Sequence, residues 1–179
     1  MSDGNPLWEF SLEFYAQPGV ASACLALQDR CGVDVNVLLL MCWCGLQGVC
    51  IDSASLARLL SEPRLARWRR WVIEPLRRGR RGLSRRDMML LRLLRRALAA
   101  VELAAERVEQ AFLFAWWRRS CPHRGAGPVA PAALLANLAS LWRVYGEPRG
   151  VAAHGLALLA AAFPAQSARE LCPQCWARI

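Results

Sequence analysis

Not one of the 179 residues is lysine. That absence removes Schiff-base chemistry, a lysine general base and the lysine of a phosphate-binding loop. Histidine is scarce too: His123 and His154 are too few for a three-histidine metal centre and are not spaced as a helical zinc-protease pair. No glycine-rich phosphate loop occurs, and no Ser/His/Asp set presents itself. Long apolar runs are also missing. The longest, Val37 to Leu46, is about half the roughly 20 residues a membrane helix needs. The start, MSDGNPLWEF, has neither the basic opening nor the apolar stretch of a secretory signal. A cytoplasmic protein without a membrane span is the expectation, with its eight cysteines as thiols rather than a disulfide framework.

What is present is apolar and helical in pattern. Hydrophobic residues make up 55% of the chain and mean hydropathy is +0.19, which excludes disorder. Apolar residues recur at steps of three and four, and convincing strand alternation is absent. Helices are predicted from Pro6 to Ala16, from Gly19 to Arg30, and from Val35 to Gln47 with Asp34 as its cap. The third is hydrophobic nearly all round and so belongs at the centre. Asp52, Ser53 and Ser55 offer caps for a short helix ending near Leu60. A further helix starts at Pro63, with Pro75 expected to bend or end it and Gly79 and Gly82 to mark a turn. The longest element runs over about 84–118 from a Ser84 cap. In it Leu91, Leu94, Leu98, Val101, Ala105, Val108, Phe112 and Ala115 form a heptad seam, suited to packing on a neighbour or on a second copy as a homodimer. After a loop at Cys121 to Pro131, helices are expected over Pro131 to Tyr145 and Gly150 to Phe163. The fold class is all-α: one bundle of seven or eight helices around the long one, with a domain over 1–146 and a helical extension over 147–179.

Charge is unevenly placed. Residues 1–57 carry a net charge of −5, residues 58–96 carry +11, and residues 97–179 carry +3. The arginine count is partly discounted as a signal, because a lysine-free composition also reflects a GC-rich genome. Arg67, Arg70, Arg77, Arg78, Arg80, Arg81 and Arg85 fall in the basic segment together with Trp68 and Trp71. Guanidinium forks suit phosphate, and tryptophans stack on bases. An arginine face over 64–96 is thus a candidate surface for an anionic partner, nucleic acid or an acidic protein. The competing explanation is internal: the acidic N-terminal segment, with Glu9, Glu13, Asp29, Asp34 and Asp52, lies over the basic helices and neutralises part of the arginine set.

Glu102, Glu106 and Glu109 lie on one side of the long helix. Such a row can hold a metal or serve an enzyme, with Asp29 and Asp34 in the same cleft, but carboxylate-bridged bundles add histidines that this helix lacks. Pairing with arginine or solvent is the favoured reading of the row, the metal or enzyme site the alternative. Cys121, His123, Cys172 and Cys175 supply four conceivable zinc ligands, in an unusual CxH and CxxC combination. Five other cysteines lie in or beside apolar helices, so the chain also uses cysteine as a small hydrophobe. No residue presents itself as catalytic, and an enzyme is the less favoured class.

The strings LWEFSLEFYAQPGVASACLALQDRCGVDVNVLLLMCWCG, WRRWVIEPLRRGRR, AVELAAERVEQ and NLASLWRVYG resemble, in this order, a family of short proteobacterial proteins carried as a domain of unknown function. The resemblance covers about residues 6–146. It implies a compact all-helical bacterial cytoplasmic protein and assigns no activity. It draws attention to the Asp34/Asn36 helix start, the Arg/Trp helix and the glutamate row. The leading reading is a non-enzymatic interaction or adaptor protein with no cofactor.

Overall fold

A computed structural model describes residues 4–82, 89–121 and 130–146. These form α1 (Pro6–Tyr15), α2 (Val20–Cys31), α3 (Val35–Leu46), α4 (Ser53–Leu60), α5 (Pro63–Trp68), a π-helical turn (Arg69–Ile73), α6 (Glu74–Gly82), α7 (Met89–Ser120) and α8 (Ala130–Tyr145). The α5, π and α6 pieces run on as one rod, so the described residues hold seven continuous helices and no strand. The all-α class and the long central helix follow the sequence pattern.

Helix α3 is the hub, as its apolar circumference requires: ten consecutive residues from Asn36 to Gly45 are buried. Asp34 caps it, Oδ1 accepting from the backbone N–H of Asn36 at 2.9 Å and of Val37 at 3.3 Å. Helices α1, α2, α7 and α8 pack around it. The α3–α8 crossing is the tightest, since Gly45 lies directly against the Leu134 backbone. Asn137 of α8, fully buried, fastens the link after α3. Its Oδ1 accepts from Ile51 N–H at 2.7 Å, and its Nδ2 donates to the Met41 and Val49 carbonyls at 3.0 and 2.9 Å.

Two expectations need correction. Pro75 does not end its helix, which continues through Gly79 to Gly82. The wide π turn immediately before Pro75 makes room for a ring that would otherwise press on the carbonyl four residues earlier. The heptad seam of α7 does not face the core as one stripe. Ala105 is buried and Phe112 packs on the core, but Leu94, Val101 and Val108 are exposed, while Glu102, Glu109, Gln110 and Leu113 point inward. The packed face is rotated because ion pairs, beside Leu98, meet the π turn and α6. Finally, residues 83–88, which include Ser84 and Arg85, lie outside the described residues, as do His123 and the extension over 147–179 with His154, Cys172 and Cys175.

Candidate binding cleft

The α5–α6 rod and α7 lie antiparallel and are joined by a ladder of guanidiniums and carboxylates. Arg69 Nε binds Glu109 Oε1 and also Asp34 Oδ2 at 3.1 Å. Arg77 Nη2 donates to Glu106 Oε1 at 2.9 Å, and its Nε lies 3.6 Å from Glu102 Oε1. Arg80 grips Glu102 through Nε to Oε2 and Nη2 to Oε1. Trp68 Nε1 donates to the Ala105 carbonyl at 3.0 Å, between the rungs.

The glutamate row therefore does face inward, and each carboxylate meets a guanidinium instead of a common metal. Among the described residues no set of three His, Cys, Asp or Glu side chains is placed to hold a metal ion. Asp29 is exposed near the end of α2, and Asp34 serves as both cap and ion-pair partner. Arg77 and Arg80, expected on an outward face, are turned to α7. Arg67, Arg70 and Arg78 remain exposed, as does Trp71, 70% exposed with the Arg70 guanidinium 5.4 Å from its ring centroid. For Arg81 only the backbone is described.

A row of hydrogen bonds extends the ladder across three helices. Asn36 Nδ2 donates to Glu109 Oε2 at 2.7 Å, Gln110 Nε2 donates to Asn36 Oδ1 at 2.9 Å, and Gln110 Oε1 lies 3.0 Å from the Ser11 hydroxyl. That hydroxyl is also 2.7 Å from the Leu7 carbonyl. All four side chains are buried. Sequence inspection singled out Asn36 but not Arg69, Ser11 or Gln110. The available signal was the glutamate row sharing a face with Ala105 and Leu113, which obliges the preceding helix to answer with arginines.

The ladder and row form the floor of a cleft of ≈ 460 Å³. Arg77, Arg80, Glu102 and Glu106 line it, with Asn36, Gln110 and Ser11 behind. Its walls are apolar: Leu12, Val35, Leu39 and Leu103, with Leu25 of α2 and the rings of Trp8 and Tyr15. An apolar pocket of some hundreds of Å³ with a few converging polar groups is the usual form of a small-molecule site.

Burial perturbs the floor. It raises the Glu106 pKa, the charges of Glu102 and Asp34 adding to this, and Arg77 opposes the shift without cancelling it. Glu109 is pushed up to about 7, first by burial and then by the Asp34 charge, against the pull of Arg69 and Asn36. Burial and the Asp34 charge push the Tyr145 phenol up to about 12. For Glu109 the folded pKa lies above the ordinary 4.5, so the folded state holds the extra proton between about 4.5 and 7. Its contribution to stability then grows as pH falls through 7 and levels off below about 4.5. Urea unfolding at pH 8 and at pH 4.5 is expected to show the wild type gaining about 3 kcal/mol relative to Glu109→Gln over this window. Parallel pH curves for the two proteins would contradict it.

Among the described residues no cysteine lines the cleft. Burial pushes Cys24 up to about 12 and raises Cys42 and Cys44 strongly, so these thiols act as small hydrophobes. Cys121, also raised by burial, packs on the core edge.

A family model described as "Protein of unknown function (DUF2390)" matches residues 6–113. No curated protein and no solved structure matches the chain. The matched stretch is shorter than the resemblance over residues 6–146, since it ends within α7 and leaves out α8. It nevertheless contains every residue of the ladder and of the hydrogen-bonded row from Ser11 to Gln110. Over those residues, three-fifths of its length, the chain belongs to the DUF2390 family of proteins of unknown function.

Proposed function

We propose that this is a non-enzymatic cytoplasmic binding protein whose cleft takes a small molecule with an apolar body and a polar end. The observation that carries this reading is the ≈ 460 Å³ cleft whose apolar walls end on a floor of paired arginines and glutamates. A carboxylate gripped by a guanidinium is held in position by charge-assisted hydrogen bonds, which suits it to orienting a bound ligand. The enzyme and metal readings of the glutamate row draw no support from this arrangement.

The neutral dye N-phenyl-1-naphthylamine, which brightens in dry apolar surroundings, is a suitable probe. It is expected to bind with one-to-one stoichiometry to the wild type. In Leu103→Trp, where a half-exposed wall residue becomes a plug, binding is expected to fall at least about tenfold. Absence of saturable binding to the wild type would end the reading.

A second reading is favoured by the exposed Trp71 with Arg70 beside it. On this reading the protein is an adaptor that presents Arg64, Arg67, Arg70 and Arg78 to an anionic partner, single-stranded nucleic acid in preference to an acidic protein. Arginines 69, 77 and 80 drop out of that surface because glutamates occupy them. A homodimer through the strip of Leu94, Val101 and Val108 is compatible with either reading.

A further inference from the structure

The three glutamates of the floor are not equally satisfied. Glu102 is held from two sides, by Arg80 through both oxygens and by Arg77. Glu109 is held by Arg69 and by the Asn36 amide. Glu106 accepts one hydrogen bond, from Arg77 to Oε1, although its side chain is only 25% exposed. Its other oxygen, Oε2, has no protein donor among the described residues, and Glu106 lines the cleft.

The charge count points the same way. The acids joined in the ladder are Asp34, Glu102, Glu106 and Glu109, and the cations are Arg69, Arg77 and Arg80. With Glu109 deprotonated, as above pH 7, one carboxylate is in excess. A ligand with a positive end brings this set to neutrality, whereas a ligand with a negative end doubles the imbalance in a desolvated place. Tyr15 and Gln28 line the same cleft and offer oxygen acceptors for further N–H donors. The Trp8 ring is a weaker lure for a cation, because the Arg107 guanidinium already lies 5.8 Å from its centroid.

We propose that the cleft binds a cationic amphiphile, an alkyl or arylalkyl primary amine whose ammonium group docks on Glu106 Oε2 while its hydrocarbon part lies against Leu12, Leu25, Leu39 and Leu103. The proposal rests on the reading of the cleft as a small-molecule site and adds the class of molecule it takes. The ammonium satisfies the open carboxylate oxygen, and the hydrocarbon replaces water on walls that are otherwise wetted. Binding alone is involved; no bond is made or broken.

Three probes of one chain length test it: decylamine, decan-1-ol and decanoate, each at submicellar concentration, competing with N-phenyl-1-naphthylamine. Decylamine is expected to displace the dye at a concentration at least about tenfold lower than decan-1-ol, with decanoate the weakest of the three. In Glu106→Gln the gap between amine and alcohol is expected to close, while decan-1-ol, which does not need the charge, still displaces the dye and so reports an intact cleft. If Glu106→Gln fails to bind the dye, Arg77→Gln answers the same question: it keeps Glu106 and removes its one cation, so the amine's advantage over the alcohol should widen. Equal displacement by all three, preference for decanoate, or a gap that survives Glu106→Gln and does not widen in Arg77→Gln overturns the proposal but leaves the cleft reading in place. Failure of the dye to bind the wild type removes both.

Discussion

Gly45→Ala is expected to cost at least about 3 kcal/mol of stability, although alanine is the better helix former by about 1 kcal/mol. A Cβ at this position would lie 2.5 Å from Leu134 Cα and 2.9 Å from Leu134 N and Cβ. These are backbone atoms or the first atom beyond, on a helix that is itself held by Asn137 and by the buried Leu138 and Leu141. Neither helix can yield by turning a side chain, so α3 and α8 must separate and open the centre of the core. Gly79→Ala is the internal control. There the new methyl would meet only the Leu98 Cδ2 atom, at 3.3 Å, the far end of a side chain that can move, and a neutral or slightly favourable change is expected. Urea denaturation midpoints of the two variants decide the matter. Similar small effects at both positions would show that the α3–α8 approach is looser than described.

Arg69→Ala is expected to destabilise by about 3 to 5 kcal/mol, the usual result of removing one member of a buried ion pair. The cost comes from what is left: Glu109, with no exposed side-chain surface, and Asp34, which then face each other's charge without a cation between them. Most of that loss should be recovered in Arg69→Met combined with Glu109→Gln. Methionine keeps the apolar stem of the arginine, and glutamine keeps an oxygen for the Asn36 amide while giving up the charge. A double variant no more stable than Arg69→Ala would mean that the arginine's packing, not its charge, holds the two rods together. Equilibrium unfolding of the single and double variants at one pH separates these outcomes.

Helix order, the apolar hub and its Asp34 cap could be read from the chain because each depends on local pattern. Apolar residues all round α3 leave it no solvent face, and an aspartate before a run of free N–H groups has one obvious task. The rotation of α7 could not be read this way. Periodicity weights leucine above glutamate, so pattern alone places Leu94, Val101 and Val108 inward, whereas the helix turns Glu102 and Glu109 inward because the π turn and α6 offer arginines at matching heights. Internal neutralisation of the arginine cluster is legible in the sequence from two directions, the acidic N-terminal segment and the glutamate row, and the row supplies most of it. Asp34 supplies one contact, and the remaining acids come from α7 itself. The π turn has no sequence signature beyond the proline that follows it. The cleft was not legible at all, since its walls come from five helices and only their crossing angles leave it open.

The row from Ser11 to Glu109 has a polarity. As it stands, both amides point their N–H groups toward the ionised Glu109, and the single Ser11 proton is contested by the Leu7 carbonyl and Gln110 Oε1. A proton on Glu109 would reverse the order. The carboxyl would donate to Asn36 Oδ1, Asn36 Nδ2 to Gln110 Oε1 and Gln110 Nε2 to the Ser11 oxygen, leaving the serine proton to the Leu7 carbonyl alone. Every acceptor then has one donor, and the change takes two half-turns of amide groups with no backbone movement. A single protonation beside Arg69 can thus be written into the hydrogen-bond direction of a helix on the far side of the cleft.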